Sequence, residues 1–483
     1  MRILLASSEV QPYSKSGGLA DMVGGLARAL AKAGHQVGLV TPLYRGIREK
    51  FPAIRPFDWQ FELPLGSGNV RGGVSVLEPQ AGLTVYFVDQ PEFFDRRNLY
   101  QEDVADYADN AARFIFFSKC LVNLARYLPW QPELVHVHDW QTGLVPAMIL
   151  DARRSDRWGA APRTCLTIHN LAYQGNFPRD AYALTNLPGD YFHLGGAEFY
   201  GGLNCLKAGI AYADGLTTVS PRYAREITTE LFGCGLDGLL RQRQAVLTGI
   251  LNGVDAEEWK TTGNPFLPHA YSVAELEGKT ADKLELQKEV GLPLSAETPL
   301  FGTVTRLVTQ KGVDLLLGAL EEMLAAEMQF VLLGSGDPYF EKAFESLARR
   351  HPQKVAVKVG FNLGLSHRIE AGCDFFLMPS MFEPCGLNQM YSLRYGTIPI
   401  VRVTGGLDDS VIDPAEDLDH ANGIKFAEPS VRALAKAIRK ALVLYQDAES
   451  LRHFQQNGMR VDLSVDRMAK EYKKVFARIL ASR

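Results

Sequence analysis

Two doubly wound α/β domains, each built on a parallel sheet, are the fold that this sequence predicts, and three observations predict it. The chain has 483 residues, more than one hydrophobic core usually serves. Short apolar runs alternate with amphipathic stretches in both halves, the order that a parallel sheet with crossover helices requires. Each half also carries a glycine pair in the loop between an apolar run and the helix-like stretch that follows it.

In the first half, residues 2–6 form an apolar run, then a glycine-bearing loop, then an amphipathic stretch from Leu19 to Ala33. That order predicts strand, loop, helix. Further strands are expected at Val37–Thr41, Leu83–Val88, Leu134–His138, Arg163–His169 and Gly215–Val219, with a helix over Asp109–Arg126. After Asn252-Gly253-Val254-Asp255 the pattern resumes, with strands expected at Leu300–Thr305, Phe330–Leu333, Val355–Val359, Phe375–Met378 and Pro399–Val403. The expected domains are therefore 1–250 and 254–460. A terminal helix at about 464–483 is expected to cross back to the first. Doubly wound sheets bind ligands at the carboxyl ends of their strands, so two of them are expected to face each other across a deep cleft.

Composition excludes several classes of function. A net charge of −4 gives no field for a nucleic acid partner. The six cysteines show no C-x-x-C pairing, which favours a reducing compartment. No apolar run suits a secretory signal or a membrane span, so a cytoplasmic protein without membrane contact is expected.

The loop Lys15-Ser16-Gly17-Gly18-Leu19-Ala20-Asp21 opens a helix whose free N–H groups suit a phosphate, and Lys15 adds a full charge. Arg306 and Lys311 follow an expected strand and suit a diphosphate. Gly405 and Gly406 repeat the strand, Gly-Gly, helix arrangement and are expected to aim a second amide nest at an anion. In Glu383-Pro384-Cys385-Gly386-Leu387, a carboxylate at a strand exit can bind two sugar hydroxyls, while Gly386 lets backbone approach. His136-Val137-His138-Asp139 has two histidines on one face of a strand. The rest of a ligand set is missing, so neither metal nor cofactor is expected.

Taken in order, KSGGLAD, YADNAARFIFFS, HVHDWQTGLVP, TIHNLAYQG, LKAGIAYADGLTTVSPRYAREI, GILNGVD, TRLVTQKG and FEPCGLNQMYSLRYGTIPIVRVTGGLDD resemble the bacterial glycogen synthase and plant starch synthase family from end to end. The resemblance implies a GT-B fold of two Rossmann-like domains and a metal-independent, retaining glycosyltransferase. Its donor would be ADP-glucose or UDP-glucose, the former favoured, and its acceptor an α-1,4-glucan such as glycogen, on the side of the first domain. Lys15, Gly17 and Gly18 would meet the donor, with Asp21 nearby. Arg306 and Lys311 would bind its diphosphate. Glu383 would hold the glucose beside the Cys385–Leu387 backbone, Asp139, His169 and Asn252 would line the glucose pocket, and Phe361 would stack on the base. The catalytic set implied is Glu383, His169, Asp139, Arg306 and Lys311, with the acceptor attacking from the leaving-group face above the His169 carbonyl.

Four positions depart from the commonest bacterial pattern, Ser16 for Thr, Phe94 for Tyr, Met381 for Arg and Asn388 for Thr, and Tyr391 stands where wider GT-B relatives carry a second Glu. Asn388 falls at an expected phosphate contact. Competing readings are another retaining GT-B transferase, a non-catalytic glucan binder, and a metal-dependent hydrolase built on His136, His138 and Asp139.

Overall fold

A computed structural model of the chain describes residues 1–102, 105–155 and 157–482. Residues 103, 104 and 156, within the expected first domain, and residue 483, at the end of the expected last helix, lie outside the described residues. The chain forms two compact units, Met1–Gly253 with Val465–Arg483, and Val254–Ser464.

The N-terminal unit is built on a nine-stranded sheet. Its spatial order is Leu247–Gly249, Gly215–Thr218, Arg163–Ile168, Leu134–His138, Arg2–Ala6, Gln36–Pro42, Leu83–Asp89, Gly68–Gln80, Arg55–Leu65. The central strands are buried along nearly their whole length, as strands covered by helices on both faces must be. The expected parallel sheet is extended on one edge by an antiparallel hairpin, Arg55–Leu65 and Gly68–Gln80. Their half-exposed alternation resembles solvated loop more than the apolar runs of the central strands, because one face meets water.

The helix Val465–Ala481 belongs to this unit. Its buried residues Met468, Ala469, Tyr472, Val475, Phe476 and Ile479 recur at helical spacing and make one apolar stripe. The rings of Tyr472 and Phe476 lie 5.4 and 5.2 Å from His136, and Val465 packs against Gly25 of the first helix.

The C-terminal unit has a six-stranded, fully parallel sheet in the order Val355–Val359, Gln329–Gly334, Leu300–Val304, Phe375–Met378, Ile398–Arg402, Ile424–Phe426. In chain order this is 3-2-1-4-5-6, the dinucleotide-fold arrangement. Phe301, Phe330, Phe344 and Phe375, all fully buried, fill the layer beneath one face.

Candidate active site

In each unit the sheet reverses its direction of winding beside its first strand, and loops leaving the two flanking strands must diverge there. In the N-terminal unit this point lies between Arg2–Ala6 and Leu134–His138. In the C-terminal unit it lies between Leu300–Val304 and Phe375–Met378. The first pair leads into the Lys15–Gly18 loop and Asp139, the second into Arg306, Lys311 and Glu383. Topology thus gathers most of the expected site residues at the two points where doubly wound sheets bind ligands.

The helix Gly18–Lys32 starts after Gly17 with no side-chain cap, leaving first-turn N–H groups free of one. Both glycines are exposed, and a Cβ on Gly17 would meet nothing within 4 Å. Lys15 is not a free cation: its Nζ lies 2.7 Å from Asp21 Oδ1. Burial pushes the Asp21 carboxyl up, and Lys15 opposes that shift. Sequence reading missed Glu9. Its buried carboxylate accepts from the Ser16 N–H, from Ser16 Oγ at 2.7 Å, from the Gly17 N–H at 3.3 Å and from the Tyr100 hydroxyl at 2.7 Å. Two of the loop's amides therefore already hold an internal anion. An isolated acid six residues before Lys15 gave no signal of this.

Asp139 sits at φ 56°, a left-handed conformation that non-glycine residues adopt mainly where function or packing demands it. Its Oδ1 accepts the His169 N–H at 2.7 Å. Burial pushes the Asp139 carboxyl up to about 7, against the N–H groups of His169 and Asn170 that favour the anion. The folded state then binds more protons than the unfolded chain between the ordinary carboxylate pKa and about 7, so stability should fall as pH rises through that window. Asp139→Asn should flatten this slope; equal slopes in urea unfolding of both proteins at pH 5 and pH 7.5 would refute it.

His169 Nε2 lies 3.0 Å from His138 Nδ1, and His136 Nε2 lies 2.6 Å from Thr167 Oγ1. Burial lowers the pKa of each of these rings, His136 and His169 to about 3. Among the described residues, no group of three or more His, Cys, Asp or Glu is arranged to hold a metal ion. Asn252 is buried, and its Oδ1 has no hydrogen-bond partner among the described residues, leaving an acceptor to be satisfied.

In the C-terminal unit the Lys311 ammonium lies 2.6 Å from Glu383 Oε2, which also accepts from Ser380 Oγ at 3.1 Å. The two loops are drawn together by Gly312, at φ +65°, where a Cβ would stand 2.0 Å from the Pro379 carbonyl oxygen. The Met381 N–H donates to the Gln310 carbonyl at 2.8 Å. Arg402, buried and unmarked by sequence reading, donates to the Ser380 carbonyl at 2.7 Å and to that of Met381. Arg306 is exposed, and no carboxylate pairs with it among the described residues. Of the three expected diphosphate cations, Lys15 and Lys311 are each bound to a carboxylate, and Arg306 stands open.

The Gly405-Gly406 pair differs from its expectation as an amide nest. Gly406 N–H lies 3.2 Å from both the Glu383 and Pro384 carbonyls. A Cβ on Gly405 would fall 1.9 Å from the Glu383 oxygen, and one on Gly406 2.2 Å from the Cys385 oxygen. The pair lets the chain's own backbone approach, which positions Glu383. Gly386 is at φ +71° beside Gln389 and Leu407, Cys385 is buried, and Leu387 is half-buried. Asn388 Nδ2 donates to the Val304 carbonyl at 2.7 Å. One of the two N–H donors on that nitrogen is thus tied to the strand before Arg306.

Phe361 is 83% exposed, directly after Gly360 at φ +126°. An aromatic in water is a stacking platform rather than core. Phe361→Ala is expected to raise the donor KM about tenfold with a thermal midpoint close to wild type, and Phe361→Tyr to restore it. A large fall in midpoint would make the ring structural.

The family profile described as starch synthase catalytic domain matches residues 2–242, and that described as glycosyl transferases group 1 matches residues 286–461. A glycogen synthase of Anaeromyxobacter sp. (strain Fw109-5) is 47% identical over the full length of both chains. The chain belongs to the glycogen and starch synthase family. A glycogen synthase of Syntrophotalea carbinolica is 43% identical over 99% of this chain and 98% of its own. Among solved structures, the catalytic domain of starch synthase IV from Arabidopsis thaliana, bound to ADP and acarbose, has TM-score 0.90 and 32% identity over 99% of both chains. A sucrose-phosphate synthase from Thermosynechococcus elongatus, 18% identical with TM-score 0.61 over all of both chains, shares the fold. The fold is GT-B, and the chain is a glycosyltransferase.

Three of the departing positions, Ser16, Phe94 and Tyr391, have identifiable local settings. Ser16 supplies the hydroxyl that reaches Glu9. Phe94 is fully buried among Tyr44, Phe93, Phe114 and Phe117, where no hydroxyl is required. Tyr391 stacks on Trp259, with ring centroids 3.5 Å apart and planes 4° from parallel. Nothing in the structure explains Met381. Among the described residues, no helix is long and apolar enough to cross a membrane.

Proposed function

We propose that this protein transfers glucose from ADP-glucose, in preference to UDP-glucose, to the 4-hydroxyl at the non-reducing end of an α-1,4-glucan such as glycogen, retaining the anomeric configuration. The observation that carries this reading is the Lys311–Glu383 pair beside an open Arg306 at the second unit's switch point. A guanidinium and an ammonium suit a departing diphosphate, and a carboxylate held within reach of the same ammonium suits sugar hydroxyls. Support for adenine comes from the 32% identical starch synthase structure, which was solved with ADP and acarbose.

Breaking the glucosyl–phosphate bond develops negative charge on the diphosphate, and stabilising that charge is the main task. Arg306 and Lys311 are assigned to it, and in the N-terminal unit Lys15, Gly17 and Gly18 are assigned to the donor. Glu383, Asp139, His169 and Asn252 are assigned to the glucose with the Cys385–Leu387 backbone beside it, Gly405 and Gly406 to holding Glu383 in place, and Phe361 to the base. The N-terminal unit is assigned to the acceptor, the C-terminal unit to the donor, and the cytoplasm is the proposed compartment. The deciding assay offers purified protein and glycogen each nucleotide sugar separately and scores nucleoside diphosphate release. Faster release from ADP-glucose is expected; equal or faster release from UDP-glucose overturns the preference, and none from either overturns the activity.

A further inference from the structure

His169 and His138 lie on neighbouring strand ends of the N-terminal unit, with one ring nitrogen of each in contact. Both rings are neutral, since burial lowers their pKa values, so one proton must be placed in the contact and one elsewhere on each ring. Two arrangements are open. If His169 Nε2–H donates, neutral His138 carries its own proton on Nε2. That atom is buried and has no hydrogen-bond partner among the described residues, so the arrangement leaves an orphan N–H. If His138 Nδ1–H donates, His138 Nε2 is a bare lone pair. Genuinely orphaned buried N–H groups are rare, and under-satisfied acceptors somewhat less so.

The surroundings hold the first ring still. His138 is fully buried, its N–H donates to Thr142 Oγ1, and its carbonyl accepts the Thr142 hydroxyl, both at 2.8 Å. The His136 ring packs against it with centroids 4.2 Å apart. By the same reasoning His136, whose Nδ1 is the unpartnered atom, carries its proton on Nε2 and donates to Thr167. The second ring's backbone is fixed by Asp139, which accepts the His169 N–H.

We propose that His138 is a positioning residue that sets the tautomer of His169: His138 Nδ1–H donates to His169 Nε2, so that His169 carries its proton on Nδ1 and presents that N–H to a ligand oxygen. The proposal rests on the assignment of His169 to the donor glucose. It gives the HVHD motif a role that needs no metal: the second histidine orients the third, 31 residues later. Partners that orient a metal-bound histidine through its other ring nitrogen change function by about 10- to 100-fold when removed, and an effect at the low end of that range is expected at this metal-free pair.

The test begins with the unliganded wild type, labelled with nitrogen-15 in the histidine rings and read by long-range proton–nitrogen correlation, which distinguishes the two tautomers. Signals are assigned with His169→Asn and His138→Asn. A His169 ring protonated on Nδ1 is expected; protonation on Nε2 overturns the proposal without any functional variant. His138→Phe, which has no donor, should lower kcat about tenfold with a smaller change in donor KM. His138→Asn, whose amide nitrogen stands near the place of Nδ1, should recover most of that loss. Equal losses in both variants would mean that His138 only fills space, which also overturns it. If His169→Ala is as active as wild type, the glucose assignment of His169 fails while the tautomer result stands on its own.

Discussion

Lys311→Met is expected to lower kcat/KM for the nucleotide sugar by about 10²- to 10³-fold, the usual effect of removing one group that stabilises transition-state charge. It should also destabilise the fold by about 2 kcal/mol, because Lys311 and Glu383 are paired at 2.6 Å with side chains only 19% and 9% exposed. Without the ammonium, Glu383 keeps, among the described residues, only the Ser380 hydroxyl as a side-chain partner. Glu383→Gln should cost less stability, about 1 kcal/mol, since the remaining ammonium is the more exposed partner and reaches water. The double variant should lose less than the sum of the singles, as groups in contact do, yet recover no activity. Urea unfolding and initial rates on the four proteins measure both cycles. Additive stability losses would remove the energetic role of the pair, and a wild-type rate in Lys311→Met would remove its chemical one.

The second large effect is expected at Gly406. Gly406→Ala places a methyl 2.2 Å from the Cys385 oxygen, in a segment whose N–H donates to the Glu383 and Pro384 carbonyls. The three nearest atoms, the oxygen, Cα and carbonyl carbon of Cys385 at 2.2, 2.5 and 2.7 Å, are all backbone, which no rotamer change can clear. The chain must move, and Glu383 moves with it. A loss of roughly 3 kcal/mol or more is expected from such strain, together with near loss of transfer activity, because small displacements of positioned groups cost about 10²-fold. Gly17→Ala is the control: its Cβ meets no protein atom, so stability should change by about 1 kcal/mol or less. If Gly406→Ala melts with wild-type behaviour, the glycine pair does not hold Glu383.

Much of the fold was legible because it is written locally. The apolar runs at residues 2–6, 134–138, 300–305 and 375–378 become central strands buried on both faces, and such strands differ from their neighbours by composition alone. The Arg55–Leu65 and Gly68–Gln80 hairpin escaped notice because its strands are half-exposed and carry charge. The short edge strands Leu247–Gly249 and Ile424–Phe426, three residues each, leave too little pattern to count.

For the site, the residue types and their places at strand exits were readable, because a loop after a buried strand is local information. Glycine in the sequence announces a close approach without naming what approaches, and at Gly405-Gly406 it is the backbone of residues 383–385 rather than a ligand. Which charge meets which was likewise decided in three dimensions. Lys311 and Glu383 are 72 residues apart, and His138 and His169 31. Electrostatic and hydrogen-bond energies depend on separation in space, and parallel strands joined by long crossovers bring distant loops side by side. The amino acids determined the chemical groups and the strands that carry them; only the packed sheet decided their partners and charges.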